Sequence, residues 1–275
     1  MTTAAVPAQT RSTQAAALAA FVGLLHRDLR VLTHEKGKFV IRTVSQPLLL
    51  VFVFTYVFPT IGQGFSTAFA GSFTDILVPG VLAITVLIKG IQSVALPLVQ
   101  EFGYTREIED RIMAPLPVWG VAVEKIVAGA LQGLLAAAIV APIALVVPAE
   151  SITLEINWLA LAGVLLLAPL AASALGLVLG TFIAPNTVPL MFSIVILPVT
   201  FLGATYYPWT ALGPIPWLQV ATLINPLVYM AEGFRLALTP QFDTMPPVAV
   251  FGALITATLL LGWLALRGFQ RRVVT

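Results

Sequence analysis

The sequence predicts an all-α membrane protein with six transmembrane helices. An amphipathic helix lies at the interface before the first span, and a re-entrant helical pair sits between the fifth and sixth. Three observations carry this reading. Apolar residues make up 59% of the 275 and charged residues only 9%, against roughly 25% charged in a soluble domain. Too few charges remain to coat a water-facing surface, so lipid must solvate much of the chain. Long stretches are free of charge altogether. Lys and Arg crowd some connections and are missing from others.

A span needs about 20 largely apolar residues, since hydrocarbon is roughly 30 Å thick and a helix rises 1.5 Å per residue. Residues 43–74 hold no charge and are most apolar from Gln46 to Phe58; residues 76–100 hold one, Lys89. Residues 126–149, 156–231 and 244–266 hold none. The longest of these must be divided. Trp158 to Phe182 is one span, the Pro- and Asn-punctuated 184–189 a turn, and Val188 to about Tyr206 the next span. Tyr206, Tyr207, Pro208 and Trp209 mark a membrane–water boundary. The stretch 210–238 is broken by Gly213, Pro214, Pro216, Asn225 and Pro226. Non-helical backbone at membrane depth needs protein or a cavity around it, so the segment 207–240 reads as two short helices that dip into the outer leaflet and return.

Charge placement sets the orientation. Arg11, Arg27, Arg30, Lys36, Lys38 and Arg42 precede the first span, and Arg267, Arg271 and Arg272 follow the last. Arg106, Arg111 and Lys125 flank the connection between the second and third spans, whereas 60–73, 148–157 and 183–189 hold no Lys or Arg. The positive-inside rule then puts both termini and the 100–118 connection in the cytoplasm. Termini on one side require an even count. Six satisfies this, and counting 210–238 as a seventh would expel the basic C-terminus. The expected organisation is a flexible cytoplasmic tail (1–14), an interfacial helix (15–38), one transmembrane domain (40–267) and a second tail (268–275). The first residues do not read as a cleavable signal, because the first long apolar run follows Arg42.

In the segment before the first span, Leu18, Phe21, Val22, Leu25, Leu29 and Leu32 follow the spacing of one helical face. His26, Arg27, Arg30, Thr33 and His34 fall mostly elsewhere. Such a helix suits the cytoplasmic interface; a soluble helix packed on protein is the plainer alternative.

The chemistry on offer is narrow. There is no GxxxxGK[ST] loop, HExxH or GxSxG. The absence of cysteine excludes disulfides and thiolate sites. His26 and His34 stand eight apart, unsuited to holding a metal together, and a net charge of +2 is too small to argue for nucleic acid. The densest charge cluster is Glu101, Arg106, Glu107, Glu109, Asp110 and Arg111. On a helix Arg106 would face Asp110 and Glu107 would face Arg111, at i, i+4. Ile108, Ile112, Met113 and Leu116 add an apolar ridge, as a docking helix for a soluble partner would carry; a solvated loop is the bland alternative. Lys89 is the one base deep within a span, and such a residue is a functional hypothesis by default. It could line a path and meet an anionic group, pair with Asp75, or snorkel to an interface. Gly129/Gly133 and Ala172/Gly176/Gly180 have the small-xxx-small spacing of closely packed helices.

These elements, in this order, resemble the membrane subunit of type-2 ABC exporters. EFGYTREIEDRIMAPLPV is similar to that family's cytoplasmic stretch after the second span, at Glu101, Gly103, Thr105 and Pro115. The stretch from Phe201 to Leu238 is similar to its re-entrant segment, closing in Asn225, Pro226, Tyr229, Glu232 and Arg235. The resemblance implies a permease in the plasma (inner) membrane that pairs with a second copy or a similar chain. Two ATP-binding subunits, which hold the ATP and Mg, would dock on the interfacial helix and the 100–115 helix. Glu101, Gly103, Tyr104, Thr105, Arg106, Glu107, Asp110 and Arg111 would then couple to them. The path would run along the first, second and fifth spans, past Phe52, Tyr56, Lys89 and Phe192. With Phe54, these aromatic residues suit an amphipathic or lipid-like cargo of the drug, lipid or glycolipid class. Two rivals stay open: an ion-coupled secondary transporter and a non-transporting anchor subunit.

Overall fold

The computed structural model describes residues 13–34, 36–61, 73–105, 108, 111, 113, 116–148, 152–183, 187 and 192–274. Arg106, Glu107, Glu109, Asp110, Ile112 and Pro115 lie outside these, as do most of the expected 184–189 turn and the side chains of Tyr104, Thr105 and Phe192. Among the described residues there is no strand. The helices are α1 (Thr13–His34), α2 (Lys36–Phe52), α3 (Phe73–Gln100), α4 (Val118–Val146), α5 (Trp158–Phe182), α6 (Leu197–Phe201), α7 (Pro216–Ala221), α8 (Pro226–Leu238) and α9 (Pro247–Val274).

Among the described residues, five helices are long and apolar enough to cross a membrane: Lys36–Thr60, Phe73–Gly103, Val118–Val146, Trp158–Phe182 and Pro247–Val273. The first and second are lengthened by π turns at Val53–Val57 and Glu101–Thr105. The span expected at 188–206 is described from 192 onward: a π turn at Phe192–Ile196 runs into α6. Helix ends at Phe201, short of the expected Tyr206, because the chain reverses through Gly203 and Ala204, whose φ is +53°. At the other end of the chain, the stretch expected as a tail continues α9 to Val274. Lys36 and Lys38, expected in the interfacial helix, open α2 instead.

α3 is the central helix. Of its most apolar stretch 67% is buried, against 22% for the first span and 17% for α9. It packs on α4, α5 and α8, and small residues allow the approach. A Cβ on Gly176 of α5 would stand 2.8 Å from the Ile91 carbonyl oxygen and 2.9 Å from its Cα. Lipid gives no hydrophobic drive between helices, so such van der Waals contact must do the holding. The Ala172/Gly176/Gly180 stripe is where α5 meets α3. Hydroxyls inside these helices bond the chain's own carbonyls: Thr85 to Val81, Ser173 to Pro169 and Thr181 to Leu177.

Candidate functional site

Two buried charge clusters stand out, one at each end of the bundle. The first lies where α1, the end of α3, the 100–118 connection and the start of α4 converge. Arg111 is its hub and is only 5% exposed. Its guanidinium donates to both oxygens of Asp28 on α1, at 2.8 and 3.3 Å, lies 3.1 Å from Glu101 Oε1 and 3.7 Å from Glu124 Oε2. Lys125 Nζ donates to Glu101 Oε1 at 2.9 Å and stands 2.8 Å from Oε2. Burial alone would lower the Arg111 pKa. Its bond to Asp28 and the charges of Glu101, Asp28 and Glu124 instead hold it above its ordinary value. Among the described residues, both Glu124 oxygens and Arg111 Nε have no hydrogen-bond partner, and Glu124 is fully buried.

This corrects one expectation. Arg111 does not sit on an exposed helix but turns inward, because Asp28, 83 residues away in sequence, offers a bidentate partner that a solvated i, i+4 pair cannot match. Ile108 likewise joins the apolar cluster of Leu98, Val121, Leu177 and Phe269, while Met113 remains exposed. On α1, Phe21, Leu25, Leu29 and Leu32 are half-buried, and Leu18 and Val22 are exposed.

The second cluster is built by the Asn-Pro block. Asn225 caps α8, accepting from Leu227 N at 3.0 Å and donating to Val199 O at 2.7 Å. Pro226 supplies the first helical position, where its missing N–H costs nothing. Tyr229 OH donates to Leu223 O at 2.8 Å. Glu232 and Arg235, one turn apart, are both fully buried and 3.0 Å apart. Glu232 also accepts from the backbone N–H of Trp209 at 2.9 Å and of Met245 at 3.1 Å. Arg235 donates to Ile76 O at 3.3 Å, Ala204 O at 2.6 Å and Thr205 O at 3.1 Å. Those two carbonyls face it because Ala204 adopts a left-handed conformation. Gly80 must be glycine for the same reason, since a Cβ there would run into the Thr205 carbonyl. The pair thus ties α3, the 203–209 turn, α8 and the start of α9 together.

Of the expected path residues, Lys89 is half-buried with its ammonium 5.7 Å from the Phe39 ring centre. It does not pair with Asp75. The two are fourteen residues apart on α3, about 21 Å along the axis, and Asp75 is taken by Thr153, accepting from its N at 3.1 Å and Oγ1 at 3.0 Å. Phe52 and Tyr56 stack at 5.4 Å on an exposed face of the first span; Phe54 turns inward toward Tyr206. Lys89 lines a cleft that neither Phe52 nor Tyr56 lines, so among the described side chains these three do not form one site. Among the described residues, no group of three or more His, Asp or Glu could hold a metal ion.

Five long apolar helices packed around α3, with a buried charge cluster at each end, define a multi-helix membrane protein. The chain belongs to the ABC-2 type transporter family, whose sequence profile matches residues 19–239. It is similar to the inner membrane transport permease YadH of Escherichia coli K12, 28% identical over 246 residues that cover 87% of this chain and 90% of that one. The protein of the same name in Shigella flexneri is similar to the same extent.

Proposed function

We propose that the chain is the permease half of an ATP-driven exporter in the inner membrane, moving an amphipathic or lipid-like molecule and powered by a separate ATP-binding subunit. The observation that carries this is the Arg111 hub. It joins α1 to the cytoplasmic ends of α3 and α4 through charges from four segments. A soluble motor that pushes on α1 or on the 100–118 connection would move α3 directly. Glu101 and Arg111 transmit that push within the chain. Gly103, Tyr104, Thr105, Arg106, Glu107 and Asp110 are the residues that would meet the motor, which alone binds ATP and Mg.

In this reading the α6 region completes a sixth span, α7 and α8 form the re-entrant cap, and both termini face the cytoplasm. A second permease copy or a similar chain completes the path. The buried Glu232–Arg235 pair makes the cap a rigid plug anchored to α3. Asp75, in the first turn of α3, is capped by Thr153.

The test is co-purification of the chain with an ATP-binding subunit in nanodiscs, followed by ATPase assay with candidate amphiphiles. The expected result is a stable complex whose ATPase rate rises with cargo. Transport driven by an ion gradient without nucleotide would overturn the proposal.

A further inference from the structure

We infer that the cleft between α2 and α3 binds the anionic head group of an amphiphile. This deepens the permease reading by naming the head-group chemistry of the cargo. The cleft itself holds only about 50 Å³; the hollow that shares Arg42, Lys89 and Gln92 with it holds about 350 Å³, and this brings the two together into the range of small-ligand sites. Arg42, Thr43 and Gln46 line the cleft from α2, and Thr85, Lys89 and Gln92 from α3. The second hollow continues it toward the cytoplasmic end, past Lys38, Gln100 and Gln132.

Three features point to an anion. First, among the described residues no Asp or Glu lines either hollow. Among the described residues, neither Arg42 nor Lys89 has a carboxylate within ion-pair distance. Arg42, exposed at the rim, and half-buried Lys89 share the cleft; the two cations repel each other and call for a counter-charge. Elsewhere in the chain the buried bases Arg111, Lys125 and Arg235 are matched by acids. Second, Thr43 is 1% exposed and its hydroxyl has no hydrogen-bond partner among the described residues. Thr43 lines the cleft beside Arg42, and its buried hydroxyl is the donor an oxyanion there would take. The other span hydroxyls that turn inward, such as Thr55 and Thr85, bond a carbonyl one turn back. Third, the cleft is graded. Pro47, Leu50, Ile84 and Ile88 form its apolar part, so an acyl or aromatic tail would continue where the head group ends. Lys89 lies twelve residues before Glu101 on α3, about 18 Å from the cytoplasmic end of the helix. The bound head group would therefore be drawn below the cytoplasmic surface of the bilayer.

The test uses the full chain in nanodiscs of phosphatidylcholine doped with phosphatidylglycerol, with retained lipid counted by native mass spectrometry. The wild type is expected to retain phosphatidylglycerol over phosphatidylcholine. Lys89→Gln and Arg42→Gln should each weaken that preference at least about tenfold, as loss of a charge-assisted hydrogen bond implies. Thr43→Val should weaken it less, and Lys89→Arg should retain it. Arg267→Gln, a cation stacked on Trp263 of α9, should leave it unchanged. Only variants that stay monodisperse are compared. An unaltered preference in both Lys89→Gln and Arg42→Gln would overturn the inference, as would a loss in Arg267→Gln equal to theirs. So would equal competition by glycerol 3-phosphate, which would make the ligand a soluble anion. Retention is read on the permease alone, so a negative result leaves partner co-purification, and with it the transporter reading, standing or falling on its own.

Discussion

The two buried charge clusters use the same residue types to opposite ends. Outside, one acid meets one base, and both are saturated: Arg235 adds three backbone carbonyls to Glu232, and Glu232 adds two backbone N–H groups to Arg235. Inside, among the described residues, three acids (Asp28, Glu101 and Glu124) face two bases (Arg111 and Lys125). One of those acids has no hydrogen bond at all. A saturated pair has one arrangement and fastens whatever it touches. An unbalanced cluster has several arrangements of similar energy, in which Arg111 can trade Asp28 for Glu124 at modest cost. A permease needs both. In the exporter proposed above, the cap stays shut until pulled and the contact with a motor gives.

The comparison breaks first at the outer cluster. Replacing Arg235 by Ala would leave Glu232 charged, fully buried and uncompensated, and would free the Ala204 and Thr205 carbonyls. Removing one partner of a buried pair costs about 3–5 kcal/mol. The expected result is little or no monodisperse protein after extraction, measured by size-exclusion chromatography. A variant that purifies and melts like the wild type would show that the cap tolerates an open core, and the contrast between the clusters would fail.

The inner cluster should respond differently. Replacing Arg111 by Gln removes the link to Asp28 but leaves Glu101 paired with Lys125, so the bundle should assemble with a loss of about 1–2 kcal/mol, set by its lost charge-assisted bonds. The larger effect should be functional. With α1 unlatched from α3, protease should cut α1 faster. The ATPase rate of the assembled complex should no longer rise with cargo, while partner binding persists. Loss of partner binding itself would make Arg111 part of the docking surface rather than the link behind it.

How far these clusters could be read in the sequence follows from how local they are. Asn225, Pro226, Glu232 and Arg235 lie within eleven residues on and beside one helix, so a motif could flag them. Their role was not legible, because Ile76, Ala204, Thr205 and Met245 come from elsewhere in the chain. Five spans were legible from missing charge; glycine spacing pointed to close packing on α5 but not to α3 as its partner. Asp28 and Glu124 escaped notice. Asp28 is the sole acid in α1, beside four bases or histidines at 26, 27, 30 and 34. Glu124 and Lys125 are the sole charges in an otherwise apolar α4. An isolated acid in such a setting is the available signal, but its partner could not be read, since Arg111 looked well served by Glu107 one turn away. Helix start was also misjudged at Lys36, where basic residues read as an interfacial helix turned out to be the first turns of the span.

The finest test compares one substitution in both clusters. Glu→Gln keeps the side chain's shape and removes its charge. At Glu232 it should cost about 2–3 kcal/mol, because all contacts there require an acceptor. Oε1 takes Trp209 N and Arg235 Nη1, and Oε2 takes Met245 N. Either placement of the Gln amide sets a donor against a donor. At Glu124 the same change removes a charge from an acid-rich cluster where neither oxygen is bonded. The expected effect is neutral or a gain of up to about 1 kcal/mol, since an unpaired buried charge costs more than the neutral amide that replaces it. Thermal melting of the two variants in the same detergent should therefore shift in opposite directions or leave Glu124→Gln unmoved. If both shifted downward alike, Glu124 would have a partner as firm as those of Glu232, and the inner cluster would be a second fastener rather than a joint.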